Sequence, residues 1–410
     1  MNARNILVVQ GGGPTQVLNT TLAAIVEEAE RAGAWSQILG SRSGMQGLTF
    51  GNFADLTALT TRDLEGLRSM PGAALGSSRY KLSEADLTVA AERLDQFRVR
   101  DVIAIGGNGT MRAAEALSEH CGRCGLSVRV AGVPKTVDND VAVTDRCPGY
   151  GSAARYVAQA TRDLGMDVRS LPQPVSILET MGRSVGWLAA AAAAGKRDAE
   201  DAPHLILLPE KPFVMEDFLA RVDACVGRLG WCVAVAAEGI RDEQGAFVYQ
   251  VEDPAQADAL KRPITGGVAQ YLAEAVARHL KLRCRSEKPG LLGRCSMLHV
   301  SEQDMKDADL VGRAGVRALL EGRSQCMVAL RPLRRGQSAS YDLISLDQVS
   351  AEERRIPAEW ISEEPVPLGP EFFQYVKPLI AELASHPQPT FPDYRPSSRD
   401  AAPEEEETCR

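Results

Sequence analysis

Short runs of consecutive apolar residues recur along the chain and predict buried strands. They lie at residues 5–9, 37–39, 101–105, 128–131, 175–178, 204–209 and 233–237. Between several of these runs, apolar residues recur at steps of three and four and predict amphipathic helices, as at residues 18–29 and 307–320. An alanine-rich helix is expected at residues 187–194. This alternation of strand and helix predicts an α/β fold built on parallel sheets.

The order of these elements predicts two Rossmann-like α/β domains with mainly parallel sheets. A chain of 410 residues is long enough for two or three domains. We expect the first domain at residues 1–150, completed by about 289–330, and the second at 151–288. Residues 331–395 are expected to form a C-terminal extension, and the acidic end at 396–410 is expected to be disordered.

Composition narrows the class of protein without assigning a function. Apolar residues make up 44% and charged residues 24% of the chain, which is ordinary for a globular protein. The net charge of −8 gives little electrostatic support to nucleic-acid binding, although it still allows a local basic pocket for an anionic substrate. No apolar run approaches the length of a membrane span, and no signal-peptide pattern opens the sequence. We therefore expect a cytoplasmic protein without membrane partners.

The nine cysteines are scattered without the regular spacing of a disulfide framework, which is typical of a reducing compartment. Cys121 and Cys124 form a C-x-x-C pair, but no second pair at zinc-finger spacing accompanies it. The pair lies at the predicted end of a helix. We therefore expect ordinary thiols there, with a metal or redox site as the alternative.

Two glycine-rich loops each follow a predicted strand and precede a predicted helix. They are QGGGPT at residues 10–15 and GGNGT at residues 106–110. In this arrangement the backbone N–H groups of the loop and the start of the helix can both meet a phosphate. A tight turn without a ligand is the alternative for either loop alone. Two such units predict loops that converge at the carboxyl ends of neighbouring strands.

A cluster of polar residues follows the predicted strand at 128–131. Its members are Lys135, Thr136, Asp138, Asn139 and Asp140. Two carboxylates separated by one residue, beside a lysine, suit a site that handles a mobile proton and a polyanion. A solvated turn is the alternative, because Asp and Asn are common in turns. The neighbouring glycine loops favour the site.

The motifs around this cluster resemble those of the phosphofructokinase family. PKTVDND at residues 134–140 closely matches the family's PKTIDND signature. GGGPT at 11–15 and CPGYGSAARY at 147–156 are similar to the pyrophosphate-dependent branch, and other stretches resemble the family's GSSR, E-x-MGR and EG elements. The resemblance covers about residues 4–385. It implies a first domain that binds the phosphoryl donor and a second that binds the acceptor sugar.

The resemblance also implies a reaction, in which a phosphoryl group passes from pyrophosphate to the 1-hydroxyl of fructose 6-phosphate with Mg²⁺. It implies that Asp138 accepts the hydroxyl proton and that Lys135, Arg79 and Arg183 neutralise the migrating group. The implied donor-binding residues are Gly12, Gly13, Gly107, Asn108, Gly109 and Thr110. The implied acceptor-binding residues are Thr136, Asp140, Met181, Gly182, Glu238, Arg285 and Arg294. The implied metal ligands are Asn108 and Asp138.

One departure from the family concerns the donor. Relatives carry a carboxylate in the second glycine loop, whereas this chain has Asn108 and Gly109. Lys135 is typical of the pyrophosphate branch, but the small Gly109 leaves room for the α-phosphate of a nucleotide. Met45, at a position where ATP-dependent relatives often have an aromatic residue, offers little to a nucleotide base. Pyrophosphate is therefore the expected donor, with ATP as the alternative.

A second departure concerns the acceptor. Leu291 replaces a His or Tyr of the family, and Pro174 lies where a basic residue is common, so the pocket for a 6-phosphate has fewer polar groups. A different sugar, a polyol or a nucleoside is therefore an alternative acceptor. The missing carboxylate leaves a weakly catalytic regulatory homologue as a further alternative. Family resemblance implies a homodimer or homotetramer, in which Arg285 comes from a neighbouring subunit.

Overall fold

The computed structural model describes residues 4–78, 80–170, 174–250, 266–333, 338–350 and 352–387. Its strands are β1 (Asn5–Gln10), β2 (Ile38–Ser41), β3 (Phe53–Asp55), β4 (Val99–Gly106), β5 (Arg129–Pro134), β6 (Val175–Thr180), β7 (Leu205–Leu207), β8 (Cys232–Ala237), β9 (Cys284–Glu287), β10 (Cys326–Leu330) and β11 (Tyr341–Ser345). Its helices are α1 (Leu18–Ala32), α2 (Gln46–Phe50), α3 (Thr61–Arg68), α4 (Glu84–Gln96), α5 (Asn108–Arg123), α6 (Tyr150–Ser170), α7 (Trp187–Ala191), α8 (Met215–Leu229), α9 (Val268–Leu280), α10 (Leu292–Cys295), α11 (Glu302–Leu320), α12 (Leu346–Ser350) and α13 (Pro370–Ile380).

A seven-stranded sheet carries the first part of the chain, in the order β11-β10-β5-β4-β1-β2-β3. Its central strands are parallel, while β3 and β11 pair antiparallel at the two edges. Along β1, Ile6 and Val8 join the core on one face of the sheet and Leu7 and Val9 join the core on the other. Burial on both faces explains why this strand is continuously apolar rather than alternating.

A four-stranded parallel sheet, in the order β7-β8-β6-β9, carries the second part of the chain. The two sheets confirm the predicted α/β class with mainly parallel strands. Thr180 pairs with Ala237, so β6 and β8 end side by side and the loops that follow start from one edge. The predicted boundaries between the domains stay predictions.

Several elements differ in length from their predicted bounds. The alanine-rich helix α7 is shorter than predicted, and residues 192–195 continue it as a 3₁₀ turn. Helix α11 begins earlier than predicted, because the Ser301 side chain accepts a hydrogen bond from the Asp304 N–H and caps it. Strand β7 ends early, because the Leu208 carbonyl accepts from the Lys211 N–H at 3.1 Å in a turn. None of the helices in the described ranges is long and apolar enough to cross a membrane.

The predicted C-terminal extension contributes to both parts of the fold. Strand β11 extends the first sheet. Helix α13 packs on the core of the second sheet, where Phe372 and Tyr375 meet the buried Trp187 with ring centroids 6.3 and 5.2 Å apart. Residues 388–410, which include the predicted acidic tail, lie outside the described residues.

A buried ion pair ties the segment after β5 to α11. The Arg146 guanidinium donates to the Asp307 carboxylate through Nε at 2.6 Å and Nη2 at 2.7 Å. Arg146 also donates to the Arg331 carbonyl at 2.7 Å. Arg146 is 2% exposed and Asp307 is 3% exposed, so each charge depends on the other for its solvation.

We predict that Asp307→Asn lowers the free energy of unfolding by about 3–5 kcal/mol, because it removes the bidentate carboxylate from the buried Arg146 charge and leaves the 3.3 Å contact with Asp145 as its ion pair. Urea unfolding measures the effect. The control is Asp342→Asn, which breaks an exposed bidentate pair with Arg331 and should leave the unfolding midpoint unchanged. Equal midpoints for both variants would contradict the assigned role of the buried pair.

Candidate active site

The two glycine loops lie side by side at the carboxyl edge of the first sheet. The Gly11 N–H donates to the Ile105 carbonyl of β4 at 2.8 Å, and the Lys135 N–H donates to the Gly106 carbonyl at 2.9 Å. These bonds continue the strand pairing of β1, β4 and β5 into the loops. The loops therefore converge as the sequence predicts, because they follow β1, β4 and β5, which are neighbours in one sheet.

Lys135 lies beneath the first loop and is 2% exposed. Its Nζ donates to the Gly13 carbonyl at 2.5 Å. A β-carbon at Gly12 would lie 3.4 Å from the same Nζ, so the loop backbone and the ammonium group are in close contact. Burial and the neighbouring Arg294 lower the pKa of Lys135 to about 8. At neutral pH the residue is still mostly cationic.

Arg294, which the resemblance assigned to the acceptor, lies against the donor loop. A β-carbon at Gly13 would be 2.6 Å from its Nη1, so only glycine fits there without moving the guanidinium. The Gln16 side chain donates to the Gly293 carbonyl at 3.2 Å, and a β-carbon at Gly293 would be 3.9 Å from the terminal methyl of Met181. Helix α10 therefore joins the donor loop to the predicted acceptor loop.

Asp138 is half-buried among charges of both signs. Burial, with the carboxylates of Asp140 and Glu238, raises the pKa of Asp138 to about 7, while Arg294 and Lys135 oppose the rise. The structure thus brings together predicted residues from both sheets around one carboxyl group. A carboxylate whose pKa lies near neutrality is matched to taking up a proton.

Asn108 and Asp140 form a second polar pair beside Asp138. The Asn108 Nδ2 donates to the Asp140 carbonyl and to its Oδ2, both at 3.1 Å. The Oδ1 atoms of Asn108 and Asp140 are buried and have no hydrogen-bond partner. Burial raises the pKa of Asp140. Oxygen acceptors of this kind are the ligand atoms that a hard cation such as Mg²⁺ prefers.

The other residues that were predicted to bind the donor lie in the two glycine loops or against their backbone. Gly107 precedes the first turn of α5, so the helix begins two residues before the predicted start near Thr110. The Thr110 hydroxyl would lie 2.3 Å from a β-carbon at Gly11, which means that this side chain supports the first loop from below. Thr136 accepts the Asp138 N–H at 3.1 Å. Gly109 is exposed, and a β-carbon there would meet no atom within 4 Å.

The predicted acceptor loops follow the adjacent ends of β6 and β8. The Glu238 N–H donates to the last carbonyl of β6 at 2.9 Å. Gly182 has a φ of +133°, a conformation that side chains rarely adopt. A β-carbon at Gly239 would lie 1.9 Å from the Arg183 carbonyl oxygen, so the two loops touch backbone to backbone. The Arg183 guanidinium lies 5.6 Å from the ring centre of Phe247.

Among the other residues singled out in the sequence, Arg285 lies away from this group, and Met45 belongs to a hydrophobic core. Arg79 lies outside the described residues. Arg285 is exposed on β9, where its backbone lies opposite Ser176 of β6. Ser176 is four residues before the end of β6, so Arg285 lies about 13 Å along the strand from the edge where the acceptor loops begin. Met45 is 4% exposed and belongs to the core of the first sheet.

Thiols in the described chain are free and mostly structural. Burial raises the pKa of Cys121 to about 11, which opposes a reactive thiolate, and Cys124 is exposed.

His204, Cys225 and Cys232 lie close enough together to bind a common ion. However, the His204 Nδ1 accepts from the Val233 N–H at 2.9 Å and its Nε2 contacts the Glu200 carbonyl at 3.1 Å. Both imidazole nitrogens are therefore occupied by backbone groups.

Sequence reasoning missed Gln16 and Asp304 as residues that support the site. The buried Asp304 carboxylate accepts from the Gly149 N–H at 2.8 Å and the Ser152 N–H at 3.0 Å, and so caps the start of α6. Burial raises the pKa of Asp304 to about 6. Asp304 is 155 residues from Gly149 in sequence, so no local pattern could have indicated the contact.

Comparison with known proteins gives consistent matches. The family model described as phosphofructokinase matches residues 5–313. The pyrophosphate–fructose 6-phosphate 1-phosphotransferase of Xanthomonas campestris is 36% identical over 93% of this chain and 92% of the relative. The sulfofructose kinase of Alkalicoccus urumqiensis is 35% identical over 87% of this chain and 92% of the relative. The chain therefore matches these relatives over nearly their full length.

Solved structures give the same result at the level of the fold. The crystal structure of a pyrophosphate-dependent phosphofructokinase from Marinobacter aquaeolei superposes with a TM-score of 0.83 at 30% identity and covers 94% of both chains. A protein of the same description from Nitrosospira multiformis superposes with a TM-score of 0.84 at 29% identity.

The raised pKa of Asp138 predicts a pH dependence of stability. Its pKa changes from 3.8 to about 7 on folding, so between these values the folded protein holds a proton that the unfolded chain has released. Stability from this group therefore falls as pH rises through that window. Asp138→Asn removes the contribution, and the variant should gain stability relative to wild type by on the order of 1–2 kcal/mol, since the half-buried group is partly screened.

Thermal or urea unfolding at a series of pH values measures this difference. Asp86→Asn provides a control of opposite sign, because hydrogen bonds from Ser83 lower the pKa of Asp86. That variant should lose stability relative to wild type as pH rises. Curves for Asp138→Asn that run parallel to wild type would show that the Asp138 pKa is not raised.

Proposed function

Because the chain belongs to the phosphofructokinase family, we propose that it transfers a phosphoryl group from pyrophosphate to the 1-hydroxyl of fructose 6-phosphate. The observation that carries the proposal is that the Asp138 carboxyl lies within electrostatic range of the Lys135 and Arg294 cations and of the Glu238 carboxylate. A base beside cations, at the meeting point of donor and acceptor loops, is the layout that phosphoryl transfer to an alcohol requires.

Asp138 is the proposed general base. As the 1-hydroxyl oxygen bonds to the terminal phosphorus of pyrophosphate, its proton passes to the Asp138 carboxylate. The bond from that phosphorus to the bridging oxygen breaks, and the second phosphate leaves. With a pKa of about 7, Asp138 is ionised in a large fraction of molecules at neutral pH, and the ionised form can accept the proton in the transition state.

The cations stabilise the charge that the reaction redistributes. Lys135 donates to the Gly13 carbonyl and therefore stands at the base of the donor loop. Arg294, against the same glycine, is proposed to contact the migrating phosphoryl group, because its guanidinium lies on the donor side of Asp138. Arg183 and Arg79 remain predicted contributors. Charge stabilisation by prepositioned groups supplies most of the rate enhancement in such reactions.

Mg²⁺ is the proposed cofactor, and the free Oδ1 atoms of Asn108 and Asp140 are its proposed protein ligands. When bound, the ion neutralises charge on the phosphates of the donor. The prediction from resemblance paired Asn108 with Asp138, but Asn108 contacts Asp140. We therefore assign Asp140 to the metal and leave Asp138 for the proton.

ATP is the alternative donor, because the space beside Gly109 is open and accommodates an α-phosphate. Lys135 favours pyrophosphate, since its buried ammonium group fills the space beneath the loop.

The acceptor also has an alternative. Leu291 is 63% exposed and offers no hydrogen bond, and one relative is a sulfofructose kinase. Sulfofructose is therefore the second candidate acceptor.

Location and assembly complete the proposal. The described cysteines are all free thiols, in keeping with the predicted cytoplasmic location. A homodimer or homotetramer is proposed, because Arg285 is exposed and lies away from the acceptor loops of its own chain. In such an assembly it can serve the acceptor site of a neighbouring subunit.

We predict transfer from pyrophosphate to fructose 6-phosphate, with kcat/KM at least about tenfold above any other pair of substrates. The measurement combines pyrophosphate or ATP with fructose 6-phosphate, sulfofructose or fructose, and follows the phosphorylated sugar by ³¹P NMR. Asp138→Asn should lose turnover on the order of 10² to 10⁴-fold.

Asp145→Asn is the matched control, because its carboxylate contacts Arg146 and lies in the same segment. That variant should retain turnover. No transfer with any pair by wild-type protein would overturn the proposed function, and normal turnover of Asp138→Asn would remove Asp138 as the base.

We predict that Gly109→Asp lowers the Mg²⁺ concentration needed for half-maximal activity by about fivefold, because it adds a charge near the proposed ligands. The side chain fits, since a β-carbon at Gly109 meets no atom within 4 Å. A carboxylate in the first turn of α5 is also compatible with the helix dipole. Mn²⁺ binding in the presence of pyrophosphate, followed by electron paramagnetic resonance, gives a second readout.

Gly109→Asn is the matched control, because it adds nearly the same volume without a charge. Only the Asp variant should change metal affinity. If both variants shift the metal dependence equally, the effect comes from volume and the proposed placement of the metal is wrong.

A further inference from the structure

The turn that carries the two carboxylates has an unusual backbone conformation. Asn139, between Asp138 and Asp140, has a φ of +57° and is fully buried. Residues other than glycine adopt this left-handed conformation uncommonly and at a cost, although Asn tolerates it better than most. The conformation persists only where surrounding contacts determine it. It also sets the directions in which the two flanking carboxylates leave the chain.

The Asn139 side chain is held at both ends. Its Nδ2 donates to the Tyr375 hydroxyl at 2.7 Å, and its Oδ1 accepts from the Cys147 N–H at 3.0 Å. The Tyr375 hydroxyl in turn donates to the Asp145 carbonyl at 2.9 Å. Burial raises the pKa of Tyr375 to about 12, so its hydroxyl keeps the proton that this bond needs. The Tyr375 hydroxyl therefore links the Asn139 side chain to the backbone carbonyl of Asp145.

Arg354 holds the backbone of the same turn. Its Nη1 donates to the Asn139 carbonyl at 3.2 Å, and its main-chain N–H donates to the Asp140 carbonyl at 2.9 Å. The guanidinium lies 4.1 Å from the ring centre of Trp187 and 5.4 Å from that of Tyr375. Stacking on these rings fixes the arginine through cation–π contacts.

Both residues come from the C-terminal part of the chain, beyond the match to the family model, which ends at residue 313. We propose that Tyr375 and Arg354 are positioning residues, which hold residue 139 in its left-handed conformation and thereby aim the carboxylates of Asp138 and Asp140. The inference rests on the proposed function for the role of those carboxylates. The C-terminal segment then acts on the reaction through the turn, without contact with either substrate.

Tyr375→Phe tests the proposal, because it removes the bridging hydroxyl and keeps the ring. The expected result is a fall in kcat on the order of tenfold or more, with KM for both substrates nearly unchanged, since misplacement of a reacting group lowers the rate of the chemical step. Asn139→Gly should give a similar fall. Glycine adopts the left-handed conformation freely, so this variant removes the side-chain bonds without adding strain.

Tyr150→Phe is the matched control. Tyr150 is fully buried in the same aromatic cluster, stacks on Tyr375 with ring centroids 6.4 Å apart, and donates to the Trp187 carbonyl at 3.2 Å. It also loses one hydroxyl and one hydrogen bond, but it makes no bond to the turn. We expect a lowered Tm with unchanged kcat, which separates a positioning effect from general loss of stability.

Crystal structures of the variants provide a readout that does not depend on activity. The φ of residue 139 should leave the left-handed region, or the 138–140 backbone should shift, in Tyr375→Phe and not in Tyr150→Phe. Unchanged kcat and an unchanged turn in Tyr375→Phe would overturn the proposal. If wild-type protein transfers no phosphate, the proposed function fails, whereas the conformation of residue 139 still decides whether Tyr375 holds the turn.

Discussion

A buried ammonium group beside two carboxylates is the constraint on which the site depends. Lys135 is removed from water, and the carboxylates of Asp138 and Asp140 stand within range of its charge. None of these charges would be stable in such a place alone. The ammonium group and the carboxylates lower the cost of burying one another, whereas burial and repulsion from Asp140 and Glu238 leave Asp138 close to its point of protonation at neutral pH.

This constraint accounts for the arrangement of the loops. A lysine at the end of β5 can reach under the loop after β1 only because the two strands lie on either side of β4 and end at one edge. Glycine is favoured at residue 13 because a β-carbon there would lie 2.6 Å from the Arg294 guanidinium, and at residue 12 because its φ is +73°. Helix α10 brings that arginine from the other side of the site, so one short helix couples the donor loop to the acceptor loop.

The fold and the local parts of the site could be predicted from the sequence, because both depend on residues close together in the chain. Continuous apolar runs mark strands buried on both faces, and the polar residues after them mark the sheet edge. The pairing of Asn108 with Asp140 spans 32 residues, and the bond from Asn139 to Tyr375 spans 236. Such contacts follow from tertiary packing, so neither periodicity nor motif spacing contains them.

The asparagine in the second glycine loop also has a physical explanation in this setting. A carboxylate at residue 108 would face Asp140 across a hydrogen-bond distance and repel it. The Asn108 amide instead donates to Asp140 twice, and its own Oδ1, like that of Asp140, is buried without a hydrogen-bond partner. The neutral Asn108 amide therefore adds no negative charge beside Asp138 and Asp140, and it leaves an oxygen available to the proposed metal. An amide at residue 108 is in this sense compatible with the proposed catalysis, because it offers an oxygen to the proposed metal while its hydrogen bonds fix the orientation of the neighbouring acid.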